Sequence, residues 1–167
     1  MSAAPAPALR PYLPSDAPVL AGLFQASIEE LAAEDYDEAQ CAAWASKADD
    51  EAAFGQGLQQ NLTLIATVDG APAGFISLKG KEDLDMLYVH PDFARQGVAG
   101  VLLSAIEKLA AARGAKKLDV EASDTAKPFF DKHGFVADHR NTVEIEGEWL
   151  GRTHMHKNLG ETREEKR

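Results

Sequence analysis

The chain has 167 residues, the size of one globular domain, and 45% of them are hydrophobic. Its 27 acidic and 17 basic residues give a formal net charge of −10, which disfavours nucleic acid and membrane surfaces as partners and suits cationic ones. The single cysteine, Cys41, excludes an internal disulfide framework, and its alanine-rich surroundings predict a small core residue. No apolar run has membrane-spanning length and the N-terminus has no secretory-signal pattern, so we expect a cytoplasmic protein.

One folded domain is predicted for residues 9–158, because no repeat or linker interrupts this span. Residues 1–8 are rich in Ala and Pro, and residues 159–167 are mostly charged. Both ends are therefore predicted to be flexible tails.

The N-terminal part begins with strand-like residues 9–13, after which Ser15 or Asp16 can cap a helix. The apolar residues of this helix recur at helical spacing and predict a buried stripe of Leu20, Phe24, Ile28 and Leu31. A D-x-x-Q capping box opens a second helix at 37–44, and a third, shorter helix is predicted at about 50–59.

The pattern then changes to strands. Two β-rich runs, 61–68 and 73–79, flank a glycine-containing turn and predict a hairpin, and 83–89 is a third strand. The next helix begins near residue 98, and Arg113-Gly114 is its predicted C-terminal stop. Its predicted buried face consists of Val98, Val101, Leu102, Ala105, Ile106 and Leu109.

The C-terminal part is predicted to contain a strand at 116–122, a short helix ending at His133, and a second hairpin formed by 135–147 and 148–157. The element order is strand, helices, three strands, helix, strand, helix and two strands. This order indicates a mixed α/β domain with helices available for both faces of one sheet.

The segment LYVHPDFARQGVAGVLLSAIEKL, residues 87–109, carries the strongest chemical signal. A strand passes through a tight loop into a periodic helix, and Gly97 and Gly100 let the loop backbone approach a bound group closely. The free N–H groups and positive dipole end of the helix favour an anion such as a pyrophosphate. The segment matches neither the P-loop nor the GxGxxG pattern.

This segment resembles the pyrophosphate-loop motif Q/R-x-x-G-x-G/A of the GNAT superfamily of acyl-CoA N-acyltransferases, and 118–135 (LDVEASDTAKPFFDKHGF) resembles the next strand and helix. The GEW hairpin and the set of Tyr36, Gln40 and Trp44 are most similar to a bacterial acetyltransferase branch. The resemblance implies a single-domain α/β fold with a mixed, mostly antiparallel sheet. Helices would flank both faces, and the sheet would splay at the acyl-CoA site.

The resemblance implies acetyl-CoA as co-substrate and no metal. The backbone of Leu87, Tyr88 and Val89 would pair with the pantetheine arm and polarise the thioester carbonyl. Ser123 and Phe130 would lie beside the pantetheine. The implied pyrophosphate ligands are the backbone amides of Arg95, Gln96, Gly97, Val98, Ala99 and Gly100.

Two residues depart from the family pattern. Ala94 occupies the first motif position, usually Gln or Arg, so one side-chain contact to the loop's ligand is missing. Phe130 stands where many relatives have a tyrosine that protonates the leaving thiolate. Tyr36 is the candidate substitute acid, and protonation of the thiolate by solvent is the alternative.

An amine acceptor arrives as an ammonium ion, so a carboxylate near the acyl carbon is the natural base. Glu121 and Asp85 are the candidates, and strand alternation predicts that Asp85 shares the face of Leu87 and Val89. If both carboxylates line one cavity, one pKa should rise and give a better base near neutral pH. Each has an alternative interpretation as a structural or solvated acid.

Several other side chains have competing interpretations. Tyr36 and Trp44 are predicted acceptor contacts, although aromatic residues at this spacing also form cores. His133 is predicted to contact the C-terminal carbonyls of its helix. His154 and His156 share a strand face, but without a third ligand we do not predict a metal site.

These features predict direct transfer of the acetyl group of acetyl-CoA to a primary amine of a small molecule, through a ternary complex. Alternative hypotheses are a protein N-terminus or lysine as acceptor, a non-catalytic acyl-CoA-binding regulatory module, and a plain nucleotide-binding scaffold. A homodimer through the last hairpin is implied by the resemblance only.

Overall fold

The computed structural model describes residues 6–159. The strands of this part are β1 (Ala8–Pro11), β2 (Leu62–Val68), β3 (Ala71–Lys79), β4 (Asp83–Val89), β5 (Lys117–Ser123), β6 (Val136–Ile145) and β7 (Glu148–Asn158). The helices are α1 (Ala17–Leu31), α2 (Glu38–Ala45), α3 (Glu51–Gln60), α4 (Val98–Ala112) and α5 (Lys127–Lys132).

The seven strands form one sheet in the order β1-β2-β3-β4-β5-β7-β6. All neighbouring strands are antiparallel except β4 and β5, which are parallel. These two pair only at Asp83 with Asp119 and at Leu84 with Val120, and then they separate. The predicted mixed, mostly antiparallel sheet with a splay is thereby confirmed.

Two hydrophobic cores cover the two faces of the sheet, as predicted. One core joins the sheet to α4 and α5, and its fully buried members include Leu102, Ile106, Leu118 and Met155. The other core lies under α1, α2 and α3 and includes Leu20, Phe24, Ile65 and Phe75. Cys41 is buried in this second core, as predicted, and burial raises the pKa of its thiol.

Local sequence signals explain several of the element boundaries. Asp37 and Gln40 form the predicted capping box at the start of α2, with each side chain bonded to the other's backbone N–H at 2.8 and 2.9 Å. Between β2 and β3, Asp69 and Gly70 both have positive φ, 52° and 81°. This is the backbone of a type I′ turn, which matches the twist of a hairpin.

Other predicted boundaries and burial assignments were wrong. β1 ends at Pro11, because the Asp16 carboxylate accepts hydrogen bonds from the Leu13 N–H at 2.8 Å and from the Arg10 guanidinium. Asp16 therefore stabilises the turn before α1 and makes no side-chain cap. Leu31 and Leu109, predicted to be buried, are 37% and 39% exposed.

The predicted tails lie largely outside the described residues. Within the described range, Ala8 already belongs to β1, and Leu159 is buried in the core under α4. None of the helices in this range combines the length and apolar character that a bilayer span requires.

Candidate functional site

The split between β4 and β5 opens the sheet beside the glycine loop. Beyond Leu84, the edge of β4 that faces β5 has no strand partner among residues 6–159, so its backbone polar groups are open to a ligand. Two cavities meet at this split. They share Trp44, Leu87, Tyr88, Ser123 and Ala126 as lining residues.

Asp85 is an extra residue in a β-bulge, because the register between β3 and β4 skips it. Its carboxylate lies 3.3 Å from the Asn61 amide nitrogen, which is also 2.9 Å from the Ser77 hydroxyl. The prediction that Asp85 follows Leu87 and Val89 to one face was wrong, since the bulge interrupts the alternation. Asp85 instead faces the side of the sheet covered by α1 and α3.

The smaller cavity, about 70 Å³, lies in the split itself. Its charged lining residues are Asp85 and Glu121, and none of its described lining residues is Lys or Arg. The two predicted bases therefore line one cavity. Its other lining residues are Trp44, Leu84, Met86, Leu87, Tyr88, Val120, Ala122, Ser123, Ala126 and Phe130.

Glu121 is held by side chains from β6 and β7. Its Oε1 accepts from Asn141 Nδ2 at 3.0 Å and lies 3.4 Å from Arg152 Nε, and its Oε2 is 2.7 Å from His154 Nδ1. Burial raises the pKa of this carboxyl, but the hydrogen bonds and the positive charges outweigh burial, so the pKa is lowered overall. The predicted rise is wrong for Glu121, which is a weak base.

His154 lies between the carboxylates of Glu121 and Asp119, and a third carboxylate oxygen, Asp138 Oδ2, lies 3.7 Å from its Nε2. Its Nδ1 faces Glu121, and its Nε2 lies 3.2 Å from Asp119 Oδ1. An ionised carboxylate only accepts, so both ring nitrogens must donate, which requires the protonated imidazolium. The hydrogen bond to Glu121 outweighs partial burial and raises the pKa of His154.

A His154→Gln substitution is expected to destabilise the protein in a pH-dependent way. The raised pKa in the folded state means that the His154 contacts stabilise the fold fully below about pH 6.5, the ordinary value for histidine, and are lost as pH rises through the folded-state value. Urea unfolding of wild type and variant should give a stability difference that is largest near about pH 6 and declines by about pH 9. A difference that grows with pH would contradict this assignment.

The larger cavity, about 680 Å³, extends from the split to the loop before α4 and to the end of α1. Its three basic side chains are Arg95, Lys132 and His133, and none of its described lining residues is Asp or Glu. In a chain of net charge −10, the absence of carboxylates from these lining residues marks an anion site. Its apolar lining residues include Ile28, Leu31, Ala32, Phe93 and Phe129.

The loop before α4 has the backbone of an anion-binding turn. Arg95 and Gly97 both have positive φ, 64° and 84°, and no side chain caps the start of α4. The first N–H groups of α4 therefore have neither intrahelical acceptors nor a side-chain cap. Of the residues whose backbone amides are the predicted loop ligands, Gln96 is absent from the cavity lining, and its side-chain amide donates to the Asp92 carbonyl at 3.2 Å.

Tyr36 does not line either cavity, contrary to its predicted contact with the acceptor. Its hydroxyl donates to the Gly151 carbonyl at 2.6 Å and accepts from the Asp124 N–H at 2.8 Å. The Tyr36 hydroxyl proton, which a substitute general acid would transfer, is thus already in a hydrogen bond to a backbone carbonyl. Burial also raises the pKa of this phenol. The Tyr36 ring packs edge-on against Trp44, with centroids 5.5 Å apart, and positions it over the split.

Trp44 and Tyr88 meet where the two cavities join. The Trp44 indole N–H donates to the Tyr88 hydroxyl at 3.2 Å. Burial strongly raises the pKa of Tyr88, so the phenol stays neutral. Phe130 is buried against the smaller cavity, and the Ser123 hydroxyl accepts from the Ala126 N–H at 3.1 Å.

Sequence reasoning missed the contribution to the larger cavity of α1 and of the cations at the C-terminal end of α5. Ile28 is buried in the core as predicted, and it also borders this cavity, as does the partly exposed Leu31. Periodicity alone cannot distinguish a core from a cavity wall. His133 does contact the Phe129 carbonyl, as predicted, with its Nδ1 at 2.9 Å. No sequence signal placed His133 and Lys132 beside the loop before α4.

The sequence of the chain is similar to a known protein family and to a known bacterial protein. Residues 32–159 match the model of a family described as "Acetyltransferase (GNAT) domain". The chain is 34% identical over 147 residues to "Uncharacterized N-acetyltransferase YafP" of Escherichia coli strain K12. The aligned region covers 88% of this chain and 93% of that protein. The protein is an acyl-CoA-dependent N-acetyltransferase. It belongs to the GNAT family.

Solved structures agree with this assignment. A GCN5-related N-acetyltransferase from Rhodopseudomonas palustris is 58% identical, with a TM-score of 0.92 over 95% of this chain and 99% of that one. The PaiA N-acetyltransferase from Thermoplasma acidophilum, solved in complex with coenzyme A, is 18% identical, with a TM-score of 0.75 over 93% of this chain and 100% of that one. The second similarity concerns the fold alone.

Proposed function

We propose that the enzyme transfers the acetyl group of acetyl-CoA directly to the primary amine of a small cationic molecule, through a ternary complex. The observation that carries this proposal is the separation of charge between the two cavities. The larger cavity has three basic and no acidic described lining residues, whereas the smaller has two acidic and no Lys or Arg. A polyanionic donor and a cationic acceptor would each find the complementary charge on opposite sides of the split.

The residues of the larger cavity fit an acyl-CoA. The loop from Arg95 to Gly100 offers backbone N–H groups to a diphosphate, and the same cavity is lined further on by the apolar residues Ala126 and Leu87. When bound, acetyl-CoA supplies a thioester with an electrophilic carbonyl. The unpaired edge of β4 runs along Leu87, Tyr88 and Val89, and strand alternation directs the N–H groups of Leu87 and Val89 to this edge, because the His90 N–H bonds to β3. These two N–H groups are the donors available to that carbonyl and to the oxyanion that develops from it.

The two carboxylates of the smaller cavity have different roles. Glu121 already accepts from Asn141 and His154 and lies beside Arg152, so it orders the rim of the site and is a poor proton acceptor. The bonded partner of Asp85 is the Asn61 amide, and no Lys or Arg within residues 6–159 lies at salt-bridge distance from it. Asp85 is therefore the base that we assign to the acceptor ammonium, directly or through one water.

The cavity on the acceptor side is small, about 70 Å³, and Trp44 is one of its lining residues. The hydrogen bond of Gln40 to the Trp149 carbonyl, 2.7 Å, joins α2 to the last hairpin. The small volume favours a small acceptor. Phe130 has no proton to give to the leaving thiolate of coenzyme A. Because the pKa of a free thiol is about 8.5, the thiolate can leave without receiving a proton from the protein.

The test is thiol release by purified protein with acetyl-CoA and a panel of acceptors. We expect turnover with small mono- and diamines, little turnover with amines that carry a carboxylate, and none with lysine-containing peptides. Turnover of the peptides without turnover of the small amines would mean that the acceptor is a protein. Acetyl-CoA should also raise the melting temperature by roughly 5–11 °C at about 100 times its Kd, with ADP as control. Stabilisation without turnover of any acceptor would favour a regulatory binding module instead.

A further inference from the structure

We propose that His133 is a phosphate ligand of the acyl-CoA site, donating from Nε2 to the diphosphate in place of the side chain that Ala94 lacks. This inference rests on the proposed function, and it assigns a binding residue outside the loop before α4. Three features of the His133 ring carry it: its fixed orientation, its position beside the loop, and the charges around it.

The orientation of the ring is fixed by the end of α5. His133 Nδ1 lies 2.9 Å from the Phe129 carbonyl oxygen, and the ring packs on the Phe129 ring with centroids 4.2 Å apart. A carbonyl oxygen only accepts, so Nδ1 carries the hydrogen. The nitrogen that remains for a ligand is Nε2, which has no hydrogen-bond partner within residues 6–159.

Nε2 points at the first turn of α4. A Cβ added to Gly100 would lie 3.5 Å from Nε2, so the imidazole sits against the backbone of the third residue of this helix. Gly100, His133 and the loop residues line the same cavity. A diphosphate held by the free N–H groups before and within this turn therefore comes within reach of Nε2.

The groups around His133 favour an anion. Lys132 precedes it on its own element, and Arg95 lies on the loop of the same cavity. Lys157 of β7 packs beside the neighbouring glycine and is paired with Glu107 of α4 at 2.9 Å, so these two charges offset each other. With no described Asp or Glu in the cavity lining, a protonated His133 donates from Nε2 and adds a positive charge toward the diphosphate.

The experiment compares three ligands by calorimetric titration: CoA, 3′-dephospho-CoA and pantetheine. The variant is His133→Phe, which retains a ring on Phe129 and removes both nitrogens. We expect it to weaken CoA and dephospho-CoA to the same extent, about tenfold, and to leave pantetheine unchanged.

His139→Phe is the matched control, because His139 is exposed on β6 and lines neither cavity. It should bind all three ligands like wild type. An equal loss of pantetheine affinity in His133→Phe would mean a structural role, and a loss confined to CoA would mean a contact with the 3′-phosphate; either overturns the proposal, as does unchanged affinity. If wild type binds no CoA, the proposed function fails and takes this inference with it.

Discussion

Replacing Asp85 by Asn should lower kcat for amine acetylation by about 100-fold or more, whereas Glu121→Gln should lower it by less than about tenfold. The two side chains line one cavity, but their partners differ. Glu121 has its charge offset by Arg152 and His154, and its pKa is lowered. Asp85 contacts the neutral Asn61 amide, and no Lys or Arg of residues 6–159 lies at salt-bridge distance from it.

The measurement is steady-state thiol release with a small primary amine at saturating acetyl-CoA. Asp83→Asn is the matched control, since Asp83 lies on the same strand, is exposed and lines neither cavity. The Asp85→Asn variant should bind acetyl-CoA normally and should recover part of its rate at high pH, where more of the amine is already unprotonated. A larger loss of kcat in Glu121→Gln than in Asp85→Asn would reverse the assignment of the two carboxylates.

The outline of the fold follows from local sequence signals. The capping box of Asp37 and Gln40, the Asp69-Gly70 turn and the alternating runs of β2, β3 and β4 each depend on neighbours within a few residues. The splay between β4 and β5 was predictable by resemblance rather than by residue chemistry. The predicted boundaries of β1 and α1 were wrong, because the contact of Asp16 with Arg10 competes with helix capping by Asp16.

The chemistry of the site depends on contacts that no local pattern contains. The bulge at Asp85 arises from the register between β3 and β4, and it moves the carboxylate to the other face of the strand. The partners of Glu121 are Asn141, Arg152 and His154, which are 20 to 33 residues away in the chain. The sequence therefore indicated both carboxylates of the smaller cavity as candidate bases, but it could not show that their hydrogen-bond partners differ.

Gly97→Val should lower the affinity for acetyl-CoA by about 100-fold, because a β-branched residue opposes the positive φ of 84° that this position adopts. A Cβ on Gly97 meets no protein atom within 4 Å, so the cost of the substitution comes from the backbone strain and not from a clash with the described residues. Moving the loop to relieve the backbone strain would misalign the N–H groups at the start of α4.

Gly70→Val provides a matched control, since Gly70 has a φ of 81°, also has open space around it, and lies in the turn between β2 and β3. Both variants should lose about 1–2 kcal/mol of stability in urea unfolding, but only Gly97→Val should lose affinity in calorimetric titration with acetyl-CoA. Equal affinities in the two variants would mean that the loop before α4 does not hold the diphosphate, and the cation-lined end of the larger cavity would then need another ligand.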